Sequence, residues 1–347
     1  MGGVAALAIA LLVLVVWGFW VFTGPGPASK ETTVILRQGA GLQEIAAALE
    51  DRKVVGSGSV FMAVAQLSGA ARELKAGEYL IKPRASMGSV LDKIRRGDVV
   101  RHFVTIPEGW TSEQAVAILM AEPVLTGSAP VPPEGAILPE TYEVQRGDDR
   151  AAVLNRMVQA REKLMAQLWP KRRPDLPFAT QEQALTLASI VEKETAIAAE
   201  RPRIAAVFVN RLQKGMRLES DPTIIYGISK GRPLGRGIRA SEVKTPTPYN
   251  TYLIAGLPPT PIANPGRAAI AAVLDPPRTD ELYFVADGSG GHVFAKTFDE
   301  HLANVAAWRQ IEKNAGQAQT QGAAPATPAE PLPAAPPAPA PPKMRGR

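Results

Sequence analysis

The chain has 347 residues, 46% of them hydrophobic and 21% charged, with 39 basic against 33 acidic side chains and a formal charge of +6. It is long enough for more than one domain and basic enough to suit an anionic surface or polymer, but no dense basic stripe with interleaved aromatics marks a nucleic-acid binder. Cysteine is absent, which excludes disulfides, cysteine nucleophiles and cysteine-based zinc sites; three scattered histidines make no metal cluster, and no cofactor is expected.

Residues 4–22, VAALAIALLVLVVWGFWVF, form an uncharged run closed by Trp17, Phe19, Trp20 and Phe22. Such a run spans about 30 Å of hydrocarbon, and the aromatics suit the interface. It exceeds the apolar stretch of a signal peptide and lacks a charged lead, so the expectation is an uncleaved transmembrane anchor. Lys30 and Arg37 follow the span and no cation precedes it, so charge does not fix its orientation. Residues 23–31, around GPGPASK, read as a linker.

Residues 32–105 read as a small α/β module: strand TTVILRQ, helices LQEIAAALEDRKVV and VFMAVAQLSG, strand LKAGEYLIK, helix MGSVLDKIRRGD with Gly97 at its C-cap, and strand VRHFVTIPEGW. From 111 to 180, two helices (SEQAVAILMA and DRAAVLNRMVQAREKLMAQLW) alternate with Pro-rich turns that include EGAILPETYEV. QEQALTLASIVEKETAIA and PRIAAVFVNRLQKG are predicted helices, the second opened by Pro202. Residues 216–300 are expected to be strand and loop, with LYFVADGSGGHVFAKTF a hairpin. The Pro/Ala-rich tail, residues 313–347, cannot bury a core and is expected to be disordered. The fold class is α+β, with residues 106–312 as the principal mixed domain.

Glu192 and Glu194 in ASIVEKET sit two positions apart on their helix, so about 200° separates them and one cleft can receive only one. The apolar seam through Ala184, Leu187, Ala188 and Val191 permits either to be half-buried and favours Glu194 slightly. A carboxyl held against an apolar wall keeps its proton toward neutral pH and can serve as a general acid. Thr195 could orient Glu194, and a Glu192→Gln control is expected to keep most activity. Downstream, Asp221, Thr223, Tyr226, Tyr249, Asn250, Thr251 and Tyr252 supply the hydroxyls, amides and aromatic faces that suit a sugar cleft, and that also serve ordinary turns and core covers.

ASIVEKET, VFVNRL, MRLESDPTIIYG, TPYNTYLIAGLPPTPIANPG and LYFVADGSGGHVFAKTFDEH, in that order over roughly residues 181–308, resemble the endolytic murein transglycosylase (YceG-like) family. The anchor and the LKAGEY…GSVLDKIRRG module also resemble that family, whose module there is LysM-like. The resemblance implies a lytic transglycosylase that cuts peptidoglycan glycan strands between N-acetylmuramic acid and N-acetylglucosamine and leaves 1,6-anhydro-muramic ends. It also implies that the catalytic residue is the second Glu of EKET, here Glu194. Asn210, Asp221, Tyr226, Tyr249, Asn250 and Tyr252 are placed in the cleft by motif position. The resemblance further implies a single-pass protein of the cytoplasmic membrane, its body outside the cytoplasm and beside glycan polymerases. Two other readings stand: an anchored glycan-binding scaffold, and a lysozyme-like hydrolase with Asp221 or Glu219 as second carboxylate.

Overall fold

The structure is a computed structural model in which residues 2–322 are described, apart from the side chains of residues 2–8, 14, 15 and 315–322. They fall into two compact units that part between Asp280 and Glu281. The division lies inside the single domain expected over 106–312. The chain between Leu274 and Tyr283 has no regular structure, and Pro276 and Pro277 lack the amide donors that would continue a helix.

Helix α1 (Gly2–Thr23) covers the apolar run expected to span a membrane. Part of that run lies outside the described side chains, and among the described residues no helix is long and apolar enough to cross a membrane. Next come β1 (Thr32–Leu36), α2 (Leu42–Asp51), α3 (Gly58–Leu67) and β2 (Gly77–Ile81), with β1 and β2 antiparallel in the register Val34 opposite Tyr79. Helix α4 (Met87–Arg96) follows, stopped by Gly97 at φ 75°, the left-handed cap that glycine takes without strain. Leu49, Phe61, Tyr79 and Ile94 fill this module's core, against which Val21 and Phe22 of α1 also pack.

Strands β3 (His102–Thr105) and β4 (Thr141–Val144) pair antiparallel and flank α5 (Ser112–Ala121), ahead of α6 (Arg150–Leu168). Val104, Leu119, Ile137 and Met157 form their common core. The module is tied to this layer: Glu78 on β2 accepts from Arg146 at 2.7 Å and lies 2.9 Å from His102 Nε2.

Helix α7 (Gln181–Glu194) opens with a reciprocal capping box between Thr180 and Gln183. Residues 184–192 are all buried, the mark of a helix covered on every side. Helix α8 (Arg201–Gln213) and α11 (Arg267–Leu274) pack against it, burying Ile204, Phe208, Ile270 and Val273. Between them lie α9 (Asp221–Ser229) and the short α10 (Ala240–Val243). Three helices therefore occupy a region expected to be strand and loop. In α9 the β-branched run Thr223–Ile225 mimics a strand, yet Pro222 stands in the first turn, where its missing N–H has no partner to lose.

In the second unit, β5 (Tyr283–Ala286) and β6 (His292–Ala295) form the expected hairpin. Asp287 Oδ1 accepts from the amides of Ser289 and Gly291, so this acidic residue shapes the turn. Helix α12 (Phe298–Gly322) runs past the boundary expected at 312, where the helix formers Ala and Gln make up half of KNAGQAQTQG. The Pro/Ala-rich tail beyond residue 322 lies outside the described residues.

Candidate active site

Glu194 is the last residue of α7, and the chain leaves the helix in extended conformation at Thr195. The Ser220 hydroxyl donates to Glu194 Oε1. Ser220 occupies the N-cap position of α9, where a serine normally caps its own helix, yet it makes no side-chain cap. Its hydroxyl is turned to the carboxyl instead. Ser220 N donates to Thr251 Oγ1 (2.9 Å), Thr223 Oγ1 donates to Ser220 O (2.6 Å), and the two threonine hydroxyls lie 2.9 Å apart. Ser220, Thr223 and Thr251 are all buried, so the serine is fixed from behind.

Arg211 on α8 staples the preceding loop. Its Nη1 donates to the carbonyls of Arg217 (3.0 Å) and Leu218 (3.1 Å) and to Glu219 Oε2 (3.0 Å). Glu219 takes φ 55°, a left-handed conformation that costs a side-chain-bearing residue about 1–2 kcal/mol. On the open side Tyr252 OH donates to Asp221 Oδ1 at 2.8 Å.

Burial pushes the Glu194 carboxyl up to about 7, and the Asp221 carboxylate adds to the rise; the Ser220 hydroxyl and the Arg211 charge oppose it. The group is therefore poised between acid and base near neutrality. Burial likewise raises the Tyr252 phenol, which keeps it a hydrogen-bond donor to Asp221.

The other expected site residues divide. The Tyr226 and Tyr249 rings meet edge-on, 4.8 Å apart, with Lys230 Nζ 4.8 Å from the Tyr249 ring. Asn250 is buried and committed to its own turn: its amide donates to the carbonyls of Val243 and Thr245 and its oxygen accepts from Tyr252 N. Asn210 donates to Thr279 O at 2.8 Å and anchors the chain after α11. Thr195 donates to Glu200 rather than orienting Glu194. Ser220 and Arg211, which act on the Glu194 carboxyl, are absent from the sequence expectation, and Thr251, which fixes Ser220, figures there only as a sugar-cleft residue. Ser220 alone carries a local signal, a Ser before Asp-Pro, the pattern of a helix start.

Glu192 is tied down. Its Oε1 accepts from Arg201 Nη2 and its Oε2 from Gly266 N, both at 2.8 Å, and Arg201 also reaches Glu108. Two large cavities lie elsewhere. An apolar crevice of about 790 Å³ follows α1, and a polar cleft of about 730 Å³ lies between residues 35–39 and 145–148; neither is lined by Glu194 or its partners. Among the described residues no group of three or more His, Asp or Glu side chains could hold a metal ion.

A model of the YceG-like family matches residues 34–307. The chain belongs to that family. A Streptococcus pneumoniae (serotype 2, strain D39) protein named endolytic murein transglycosylase is 30% identical over 328 residues, covering 80% of this chain and 58% of the relative. A Bacillus subtilis (strain 168) protein of the same name is 28% identical over 312 residues, covering 80% of this chain and 85% of the relative. A crystallised YceG-like protein of Listeria monocytogenes is 29% identical, with 80% and 99% of the two chains covered and a TM-score of 0.49. The chain thus spans little more than half the length of the pneumococcal relative.

Proposed function

We propose that this YceG-like chain is an endolytic lytic transglycosylase of peptidoglycan, with Glu194 as its single acid and base. The observation that carries this reading is one carboxyl, buried enough to stay protonated to about pH 7 and held by a serine that is itself fixed. Protonated Glu194 donates to the glycosidic oxygen as the C1–O bond breaks, and the sugar develops oxocarbenium character. The C6 hydroxyl of the muramic unit then attacks C1 and gives its proton to the Glu194 carboxylate. The products are a free leaving-group hydroxyl and a 1,6-anhydro end; water is not consumed and Glu194 returns protonated. A second catalytic carboxyl is therefore not required, unlike the usual glycosidase pair.

The strand–helix–helix–strand order of residues 32–81 supports a LysM-like reading of the module, a weak glycan grip whose local concentration a tether would raise. Attachment through residues 4–22, an extracytoplasmic body and work beside glycan polymerases belong to the same proposal and rest on the sequence run and the family resemblance.

One observation favours a second reading. Asp221 is exposed and its charge acts on Glu194, so it could position water for hydrolysis. Digestion of purified peptidoglycan, read by mass spectrometry, separates the two. Anhydro ends that vanish in Glu194→Gln support the transglycosylase, whereas reducing ends, heavier by one water per cut, support the hydrolase. Strands left intact by the folded protein would reject both in favour of a binding role.

A further inference from the structure

Glu134 lies in the Pro-rich stretch before β4, far in sequence from Glu194. Its Oε2 accepts from Ser112 N at 2.9 Å, in the first turn of α5. Two independent contacts fix its surroundings. Ser112 follows Thr111, whose methyl would collide with a Cβ at Gly231, while the Tyr226 ring lies 3.5 Å from that same point. On the other side a Cβ at Gly135 would stand 2.7 Å from Pro261 Cγ, and the neighbouring Thr260 hydroxyl shares a 2.9 Å hydrogen bond with Tyr249 OH. Glu134 is thereby brought toward the Tyr226–Tyr249 pair; burial raises the Tyr226 phenol, and the Glu134 charge adds to the rise.

The groups that meet here are complementary and unspent. Tyr226 is only 7% exposed, and among the described residues its hydroxyl has no hydrogen bond. A carboxylate offers about four acceptor positions, and on Glu134, among the described residues, the donors are those of Ser112 alone. Tyr249 adds a ring edge and Lys230 a cation. Helix α9 links this cluster to the acid, since Asp221 beside Glu194 and Tyr226 are five residues, or about 7.5 Å of helix, apart.

We propose that Glu134 is a specificity-determining residue: with the Tyr226 hydroxyl and the Tyr249 ring it holds a sugar unit neighbouring the bond at Glu194, its carboxylate accepting from an amide N–H or hydroxyl of that unit. The proposal rests on the glycan-cleaving reading above. The competing role is structural, a carboxylate that merely satisfies the first turn of α5.

The test measures binding of soluble, uncrosslinked glycan strands to the full chain carrying Glu194→Gln, by calorimetry. Adding Glu134→Gln keeps an oxygen for Ser112 N but presents a donor where the sugar needs an acceptor. Adding Tyr226→Phe removes only a hydroxyl without a protein partner. Each should weaken binding about tenfold, the loss of one good hydrogen bond, with an unchanged thermal midpoint. Unchanged affinity in both variants, or no binding by the parent, overturns the proposal. If Glu134→Gln unfolds, Tyr226→Phe decides alone. The same strands given to the unmutated protein separate the two readings: Glu134-dependent binding without cleavage rejects the activity and keeps the subsite, and cleavage with Glu134-independent binding does the reverse.

Discussion

Glu192 and Glu194 stand two positions apart at the end of α7, and their carboxyls meet opposite surroundings. Glu192 is held by a guanidinium and a backbone amide in the interior, while Glu194 takes a hydrogen bond from a serine hydroxyl and feels the opposed charges of Asp221 and Arg211. Burial raises both above the ordinary carboxylate range. Each Glu192 oxygen already takes a protein donor, whereas the Glu194 hydrogen bond to Ser220 engages Oε1.

Replacing Glu192 should therefore harm the fold more than the chemistry. Its side chain is 3% exposed and that of Arg201 10%, so Glu192→Ala leaves the buried Arg201 with the more exposed Glu108 as its carboxylate and Gly266 N without this acceptor, at a cost of about 3 kcal/mol. Glu192→Gln presents an amide N–H to one of two donors and should cost about 1–3 kcal/mol. Denaturation midpoints should fall in both, while kcat per folded molecule of Glu192→Gln stays near the parent's. A Glu192→Gln protein of full stability but no activity would reassign the acid.

The pH–rate profile should lose activity as pH rises through about 7, where Glu194 gives up the proton it must donate. Neighbours should move that limb in opposite senses. Ser220→Ala removes a hydrogen bond that favours the carboxylate, so the limb shifts to higher pH, with kcat on the acid side reduced about tenfold by lost orientation. Asp221→Asn removes a repelling charge and shifts it to lower pH. Shifts of the same sign in both variants would mean that another group titrates.

Stability carries the same signature. An unfolded Glu releases its proton near 4.5, the folded Glu194 near 7. Below the first value both states are protonated. Between the two the unfolded chain is favoured as pH rises, and above the second the penalty levels off at about 3 kcal/mol. Glu194→Gln lacks this penalty. Urea midpoints should show it no more stable than the parent at pH 4 and more stable by up to ~3 kcal/mol at pH 8. A constant difference across that range would show that the carboxyl is not desolvated.

Local signals served the sequence reading well and tertiary ones poorly. Helices α4, α5, α6 and α8 and both hairpin strands β5 and β6 were legible because one face is apolar or a cap is explicit. Helix α7 defeated the seam argument: residues 184–192 are buried on every side, so periodicity could not tell which glutamate met a cleft. The choice of Glu194 came from the EKET resemblance instead. Ser220 was missed in favour of the adjacent Thr195 because a contact 26 residues away leaves no local pattern. Motif position and residue chemistry point Asn250 to the cleft, whereas its amide closes the turn that presents Tyr249, Thr251 and Tyr252.

That last assignment yields a test whose sign distinguishes a turn from a ligand contact. Asn250 Nδ2 donates to two carbonyls at 2.9 Å each, and Oδ1 accepts from Tyr252 N at 3.0 Å. Asn250→Ala leaves three backbone groups without partners and should cost about 2–3 kcal/mol. Asn250→Asp retains the acceptor for Tyr252 N but sets a carboxylate against two carbonyl oxygens in a buried site. It should therefore be the less stable variant at pH 7, and acidification toward pH 4 should narrow the gap as the aspartate gains a proton it can donate. Were Asn250 a solvent-facing sugar contact, both proteins would melt with the parent, and only strand affinity would change. Thermal midpoints of the two variants at pH 4 and pH 7 decide between these roles.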